Sequence, residues 1–217
     1  MAFDFGVIFD SLPFLAEGLA LSFLLTLLAA AGGIVLAVIL ALMRLSGYTA
    51  LALISAAYVN FFRSMPLILV IFWFFFLVPL LIGRPVGGFY SALIAFTLFE
   101  AAYYSEIIRA GIQSVSRGQV AAGYATGLTY GQTMRFIVLP QAFRNMTPVL
   151  LTQGIVLFQD TSLVFVVALR DFMTATTIVA RNEGRLIEMY LFAAAVYFVI
   201  CFSGSLYVRR LQGKFAR

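Results

Sequence analysis

Residues 18–43 read GLALSFLLTLLAAAGGIVLAVILALM, a run without a single charged side chain, and that run decides the fold class. The hydrocarbon core of a bilayer is ~30 Å thick and takes about 20 helical residues to cross. No water is available there for N–H and C=O groups, so a run this apolar crosses as a helix that satisfies its own backbone. Working outward, residues 64–83 and 189–208 are also charge-free, the former including Phe72-Trp73-Phe74-Phe75-Phe76. Residues 145–169 are interrupted only by Asp160, and 88–108 only by Glu100 and Glu106.

The composition agrees. The 217 residues are 63% hydrophobic and 11% charged, with mean hydropathy +1.05, whereas a soluble domain carries about 25% charged residues. There is no histidine, and Cys201 is the one cysteine. An intrachain disulfide is excluded, and nothing suggests a metal centre or a nucleophile motif. The net charge of +5 does not point to nucleic acid, because the cations sit in short stretches beside apolar runs, where they write membrane topology. Asp4, Asp10 and Glu17 precede the first run without Lys or Arg, the wrong sign for a secretory signal, so that run is expected to be retained.

The stretch 45–62 allows five or six spans. With five and the N-terminus outside, Arg44, Arg63, Arg109, Arg117, Arg135, Arg144, Arg209, Arg210, Lys214 and Arg217 are all inside, ten of the fourteen cations. Six spans leave nine inside, so the positive-inside rule favours five by a small margin. The expected organisation is an all-α membrane protein of one domain, 1–217. Its spans fall at about 18–43, 52–83, 88–110, 146–169 and 188–208, with a cytoplasmic loop at 111–145.

That loop reads as a helical hairpin. Ser116-Arg117-Gly118-Gln119 and Thr129-Tyr130-Gly131-Gln132 each have capping-box spacing. Gly127 supplies a left-handed stop for the first helix, and Pro140 is expected to end the second. Small residues line the first helix, and the alternative is that both helices merely connect spans.

Gly118-Gln119-Val120-Ala121-Ala122-Gly123-Tyr124-Ala125-Thr126-Gly127-Leu128, followed by Leu139-Pro140, resembles the coupling loop of ABC importer permeases. Phe61-Phe62-Arg63-Ser64-Met65-Pro66, Glu106-Ile107-Ile108-Arg109-Ala110-Gly111 and Asp160-Thr161-Ser162-Leu163 extend the resemblance to the polar amino acid uptake family. The sequence is most similar to its glutamate/aspartate branch. The family's loop glutamate falls at Ala121, and its Ala-Ala at Ala122 and Gly123, so one acidic contact is missing. The resemblance implies a type I importer architecture and a hairpin seated on a separate ATPase subunit, through Gly118, Gln119, Ala121, Ala122, Gly123, Gly127, Leu139 and Pro140. It also implies two such ATP-binding subunits on the cytoplasmic side, a second permease chain (a paralogue or itself), an extracytoplasmic substrate-binding protein, and the bacterial inner membrane as location. ATP and Mg would sit on the partner, since no Gly-x-x-x-x-Gly-Lys-Ser/Thr loop occurs here.

Ionisable and amide side chains at membrane depth normally face a bundle interior or a pathway. Gln153, Gln159, Asp160, Thr161, Ser162 and Glu100 are the translocation candidates. For Asp160 the alternative is a helix lock made through Thr161 and Ser162. Glu100 could be buried and protonated, paired with Arg63, or on the route. Glu106 and Arg109 are spaced as an intrahelical ion pair, and Gly18/Ser22/Thr26 as a close-packing stripe. The loop 169–188, with Asp171, Arg181, Glu183 and Arg185, is either a docking surface for the binding protein or a solvated loop. A proton-coupled carrier using the intramembrane carboxylates is the competing function.

Overall fold

The structure is a computed structural model that describes residues 6–215, and no strand occurs among them. Asp4 and Arg217, two of the charges that set the expected orientation, lie outside the described residues. Helix α1, Gly6–Leu45, runs 40 residues, about 60 Å at the helical rise and so longer than the bilayer core. It starts ahead of the charge-free run because Asp10, Pro13 and Glu17 are all accommodated near its beginning.

The stretch 45–62 is not a sixth span. Helices α2, Thr49–Arg63, and α3, Leu67–Ile82, are bent against each other by 102°. The cause is local. The Ser64 N–H turns back to Asn60 and Phe61 carbonyls, and Pro66 steers Met65 away from helical backbone. Arg44, at the end of α1, and Arg63, at the end of α2, both lie within 4.0 Å of Glu106. The ends of α1 and α2 therefore meet at one carboxylate. The region expected as one span at 52–83 is occupied by this bent pair. Four other helices are long and apolar enough to cross, so the bent pair makes five.

Helix α4, Gly88–Gln113, is the centre of the bundle: 61% of its most apolar window is buried, against 33% for α1. It manages this with small residues, Ser91, Ala92, Ala95, Ala101 and Ala102, which let neighbouring backbones approach. A turn leads to α5, Arg117–Ala125, and then to α6, Tyr130–Val167. Helix α7 spans Phe172–Asn182 and α8 Leu186–Phe215. The window of α8 is only 11% buried, and Phe198, Val199 and Phe202 are exposed on it, as expected of a lipid-facing helix.

Pro140 does not end a helix. Tyr130–Thr133 continues through a π-turn, Met134–Val138, into Leu139–Asp160. A second π-turn, Trp73–Leu77, likewise precedes Pro79. A proline ring collides with the carbonyl four residues before it. The wider π-turn spans that carbonyl, at Phe136 and Phe75, and lets the helix run on. The hairpin's second arm and the membrane-crossing helix are thus one continuous rod.

The small-residue stripe of α1 packs on the start of α7. A Cβ on Gly18 would stand 2.8 Å from the Asp171 carbonyl oxygen and 2.9 Å from the Ala175 Cβ. The Ser22 hydroxyl accepts from the Phe172 N–H at 3.2 Å, which ties the two helices together.

Candidate functional site: a capped hairpin and the polar clefts above it

The hairpin is held by caps and by a small core of Val115, Val138 and Ala142. The Ser116 hydroxyl accepts from the Gln119 N–H at 3.4 Å. The Gln119 side chain does not return to close that box; it accepts instead from the Gln141 amide across the hairpin. At Thr129 the box is complete, with reciprocal bonds of 3.4 and 2.9 Å to Gln132. Gly127 sits at φ +83°. Its N–H reaches Tyr124 O at 3.0 Å, and Leu128 N–H reaches Gly123 O at 3.2 Å, the paired bonds of a Schellman stop. Gly118, Ala121, Ala122 and Ala125 share one exposed face of α5. Gly123 points the other way: its Cβ would come within 2.7 Å of Ile137 Cδ1 and 3.2 Å of Thr133. Leu139 and Pro140 belong to the rod of α6.

Above the hairpin's root four side chains converge. Arg109 donates to both oxygens of Glu106, at 3.1 and 2.6 Å. Arg44 and Arg63 approach the same carboxylate at 3.8 and 4.0 Å, and Arg63 also lies over the Tyr103 ring at 5.4 Å. Arg63 therefore serves Glu106, and the pairing with Glu100 does not form. A cleft of about 490 Å³ opens here, lined by Arg63, Glu106, Arg109, Asn145, Met146 and Gln153. At its root, the Asn145 amide donates to the Ser114 hydroxyl at 2.8 Å, and Gly111 allows Met146 so close that a Cβ would meet its Cβ at 2.8 Å.

Deeper in the membrane, Glu100 is fully buried. One carboxyl oxygen accepts from the Gln153 amide at 3.2 Å, and the other has no partner. The helix lock expected for Asp160 is absent: the Thr161 hydroxyl bonds Phe158 O at 2.7 Å, and among the described residues no side chain hydrogen-bonds the Asp160 carboxylate. Thr161 is fully buried, whereas Gln159 and Ser162 border a cavity of about 340 Å³ on the far side from the hairpin. Six candidates thus separate into a Glu100–Gln153 pair, an upper pair of Gln159 and Ser162, a half-buried Asp160, and a Thr161 that bonds its own helix.

The expected docking loop is mostly helix. Asp171 is fully buried and caps α7, accepting from Met173 N–H at 2.9 Å and Thr174 N–H at 3.1 Å. Arg181 and Glu183 remain exposed. Sequence reasoning missed Tyr103 and Asn145, and it named Arg181 without the α7 row, Thr174, Thr177 and Arg181, to which it belongs. The row was legible as i, i+3, i+7 spacing once a helix was assumed there.

The family model described as "Binding-protein-dependent transport system inner membrane component" matches residues 33–217. The chain is 50% identical over 221 aligned residues, covering 99% of both proteins, to the glutamate/aspartate import permease protein GltK of Escherichia coli. It is 33% identical to the arginine transport system permease protein ArtQ of Bacillus subtilis, covering 92% of this chain and 91% of that one. Among solved structures, an amino acid ABC transporter crystallised with histidines superposes with TM-score 0.93 at 29% identity, over 99% of this chain and all of the other. The MetNI methionine transporter shares the fold at TM-score 0.72 and 18% identity, over 93% of this chain and 98% of that one. The five-span bundle and its helical hairpin are accordingly those of a known class: the chain belongs to the family of inner-membrane components of binding-protein-dependent transport systems.

Proposed function

We propose that this chain is the membrane-spanning permease subunit of an ATP-driven importer for polar amino acids, with glutamate and aspartate as substrates. Identity of 50% over essentially the whole chain to a glutamate/aspartate import permease is the observation that carries the substrate class. The chain itself is not the ATPase; ATP and Mg are held by a partner. Two such partners seat on the hairpins of two permease chains from the cytoplasmic side, and a binding protein delivers substrate from outside. Because one bundle has too few helices to enclose a route, the pathway forms between the two permeases.

The rod of α6 supplies the mechanism. ATP closes the ATPase pair and draws the hairpins together through the exposed face at Gly118, Ala121 and Ala122. Helix α6 carries Gln153, Gln159 and Asp160 on the same element as the hairpin's second arm, so displacement at one end tilts the other. Gln153 then presents its amide to substrate or withdraws it to Glu100. The cleft at Arg63, Arg109 and Asn145 is the exit on the cytoplasmic side. The cations gathered at that end support an orientation with the exit, the hairpin and the C-terminus in the cytoplasm and the N-terminus outside.

The test is uptake of labelled glutamate into proteoliposomes holding the full complex with its binding protein. ATP-dependent uptake is expected. Uptake that ignores ATP and follows an imposed pH gradient would instead make the chain a proton-coupled carrier working through Glu100 and Asp160.

A further inference from the structure

We propose that a groove at the end opposite the hairpin, running from Arg181 past Thr177, Thr174 and Ser162 to Gln159, receives the carboxylate of the amino acid as it enters, with Arg181 as the capturing charge. The proposal rests on the importer reading above for its orientation and for the sign of the substrate.

Two cavities make the groove. The first, about 510 Å³, is lined by Ser162, Met173, Thr174, Thr177 and Arg181 among others. The second, about 340 Å³, is lined by Gln159, Ser162, Met173, Tyr190 and Tyr197 among others. They share Ser162 and Met173 and so adjoin. Thr174, Thr177 and Arg181 stand on one face of α7, with Arg181 in its last turn. The path therefore leads from an exposed cation, along hydroxyls, to a neutral amide on α6.

The lining is suited to an anion. It holds one guanidinium, hydroxyls and an amide, and no carboxylate. Neither lining includes Asp160 or Glu183, and Asp171 is turned into the start of α7, where two N–H groups and the Thr174 hydroxyl occupy it. Among the described residues Arg181 forms no ion pair, so its charge is available. A cavity of about 400 Å³, in contrast, has both Glu17 and Arg170 in its lining, so its charge is mixed. Independently, Tyr197 lines the second cavity, and its hydroxyl is buried without a hydrogen-bond partner. A buried donor lacking an acceptor is unfavourable, and an arriving carboxylate oxygen would supply one. The Tyr190 hydroxyl, meanwhile, donates to Thr177 Oγ1 at 3.4 Å, which holds α7 and α8 as the groove's two walls.

The experiment compares ATP-driven uptake of labelled glutamate by the full complex in proteoliposomes, for wild type, R181Q and R181E, with the binding protein raised to saturation. Arg181 is exposed, and co-purification of the ATPase reports that each variant has folded. Maximal uptake is expected to fall about ten-fold in R181Q, the lower end of what a focusing charge gains in local substrate concentration. R181E should fall further, because a purely structural side chain would not order its losses by charge. T177V, which removes a hydroxyl beside Arg181, should lower uptake less than R181Q does. Unchanged uptake in R181Q overturns the proposal. So does a loss that added binding protein makes good, which would mark Arg181 as a docking contact. So does a loss seen only in vesicles containing phosphatidylglycerol and not in phosphatidylcholine, which would mark a lipid headgroup site. A wild-type complex that shows no ATP-driven glutamate uptake overturns the importer reading itself, and the two failures are thereby distinguished.

Discussion

Gly123 is the point where the hairpin's arms cross, and a side chain there should uncouple the machine. An added Cβ would stand 2.7 Å from Ile137 Cδ1 and 3.2 Å from both Cγ2 and Oγ1 of Thr133, where carbon pairs prefer roughly 3.5–4.0 Å. The two obstacles differ. Ile137 offers the tip of a rotatable chain and can swing aside. Thr133 is 1% exposed and cannot. Gly123→Ala should therefore cost about 1 kcal/mol, and Gly123→Leu about 3 kcal/mol, the upper part of the usual range for overpacking. The larger figure depopulates the native hairpin more than a hundred-fold. The assay is ATP-driven uptake beside ATP hydrolysis in the reconstituted complex, together with the yield of co-purified ATPase. Gly123→Leu should lose both uptake and ATPase retention. Ile137→Val removes Cδ1 and should restore most of the function lost in Gly123→Ala while changing little by itself. A Gly123→Leu protein that transports like wild type would refute the reasoning, as would failure of Ile137→Val to improve Gly123→Ala.

Gly127→Val should cost about 2 kcal/mol through backbone alone, because φ is +83° and nothing lies within 4 Å of the new Cβ; no second-site change that creates space will rescue it, which thermal melting of the double variants would check. Glu106→Gln leaves Arg44, Arg63 and Arg109 facing one another without a counter-charge. Since these groups are partly exposed, a loss of about 2 kcal/mol, between the surface and buried limits, is expected as a lower Tm in detergent. Gln153→Leu strips Glu100 of its one donor and should cost about 1–3 kcal/mol, with uptake falling more than ATP hydrolysis. Gly18→Ala drives a methyl into the Asp171 carbonyl, which has no way to swing, and should lower stability by about 1–3 kcal/mol more severely than Gly123→Ala, read by the same melts.

Much of this is legible in the sequence alone. Spans are legible because a bilayer permits only helices that satisfy their own backbone, so 18–43 and 189–208 could be nothing else. The stop at Gly127 and the box at Thr129 are legible because caps are local, with bonded partners no more than five residues apart. What escaped depends on encounters distant in sequence. Arg44, Arg63 and Glu106 come from three different helices, Arg63 just before the 102° bend between α2 and α3, and no pattern within α2 announces that angle. Pro140 misled for a related reason. A proline removes one donor and crowds one carbonyl, and a π-turn absorbs both, so the residue that ordinarily ends a helix here marks a wide turn inside one. Asp171 read as a surface charge because the loop was read without its helix, whereas Asp at a helix start is a capping residue.

Closure of the partner ATPases, felt at the hairpin, reaches the membrane through an unbroken α6 in this mechanism. The direct measurement is the number of amino acid molecules imported per ATP hydrolysed, in wild type and in Phe143→Gly/Arg144→Gly, which softens the exposed rod between hairpin and Gln153 by about 1 kcal/mol per glycine. The variant should keep its ATPase partner and continue to hydrolyse ATP while the ratio falls several-fold. A ratio equal to wild type's, with uptake and hydrolysis changing in proportion, would contradict it and place the coupling in some other element.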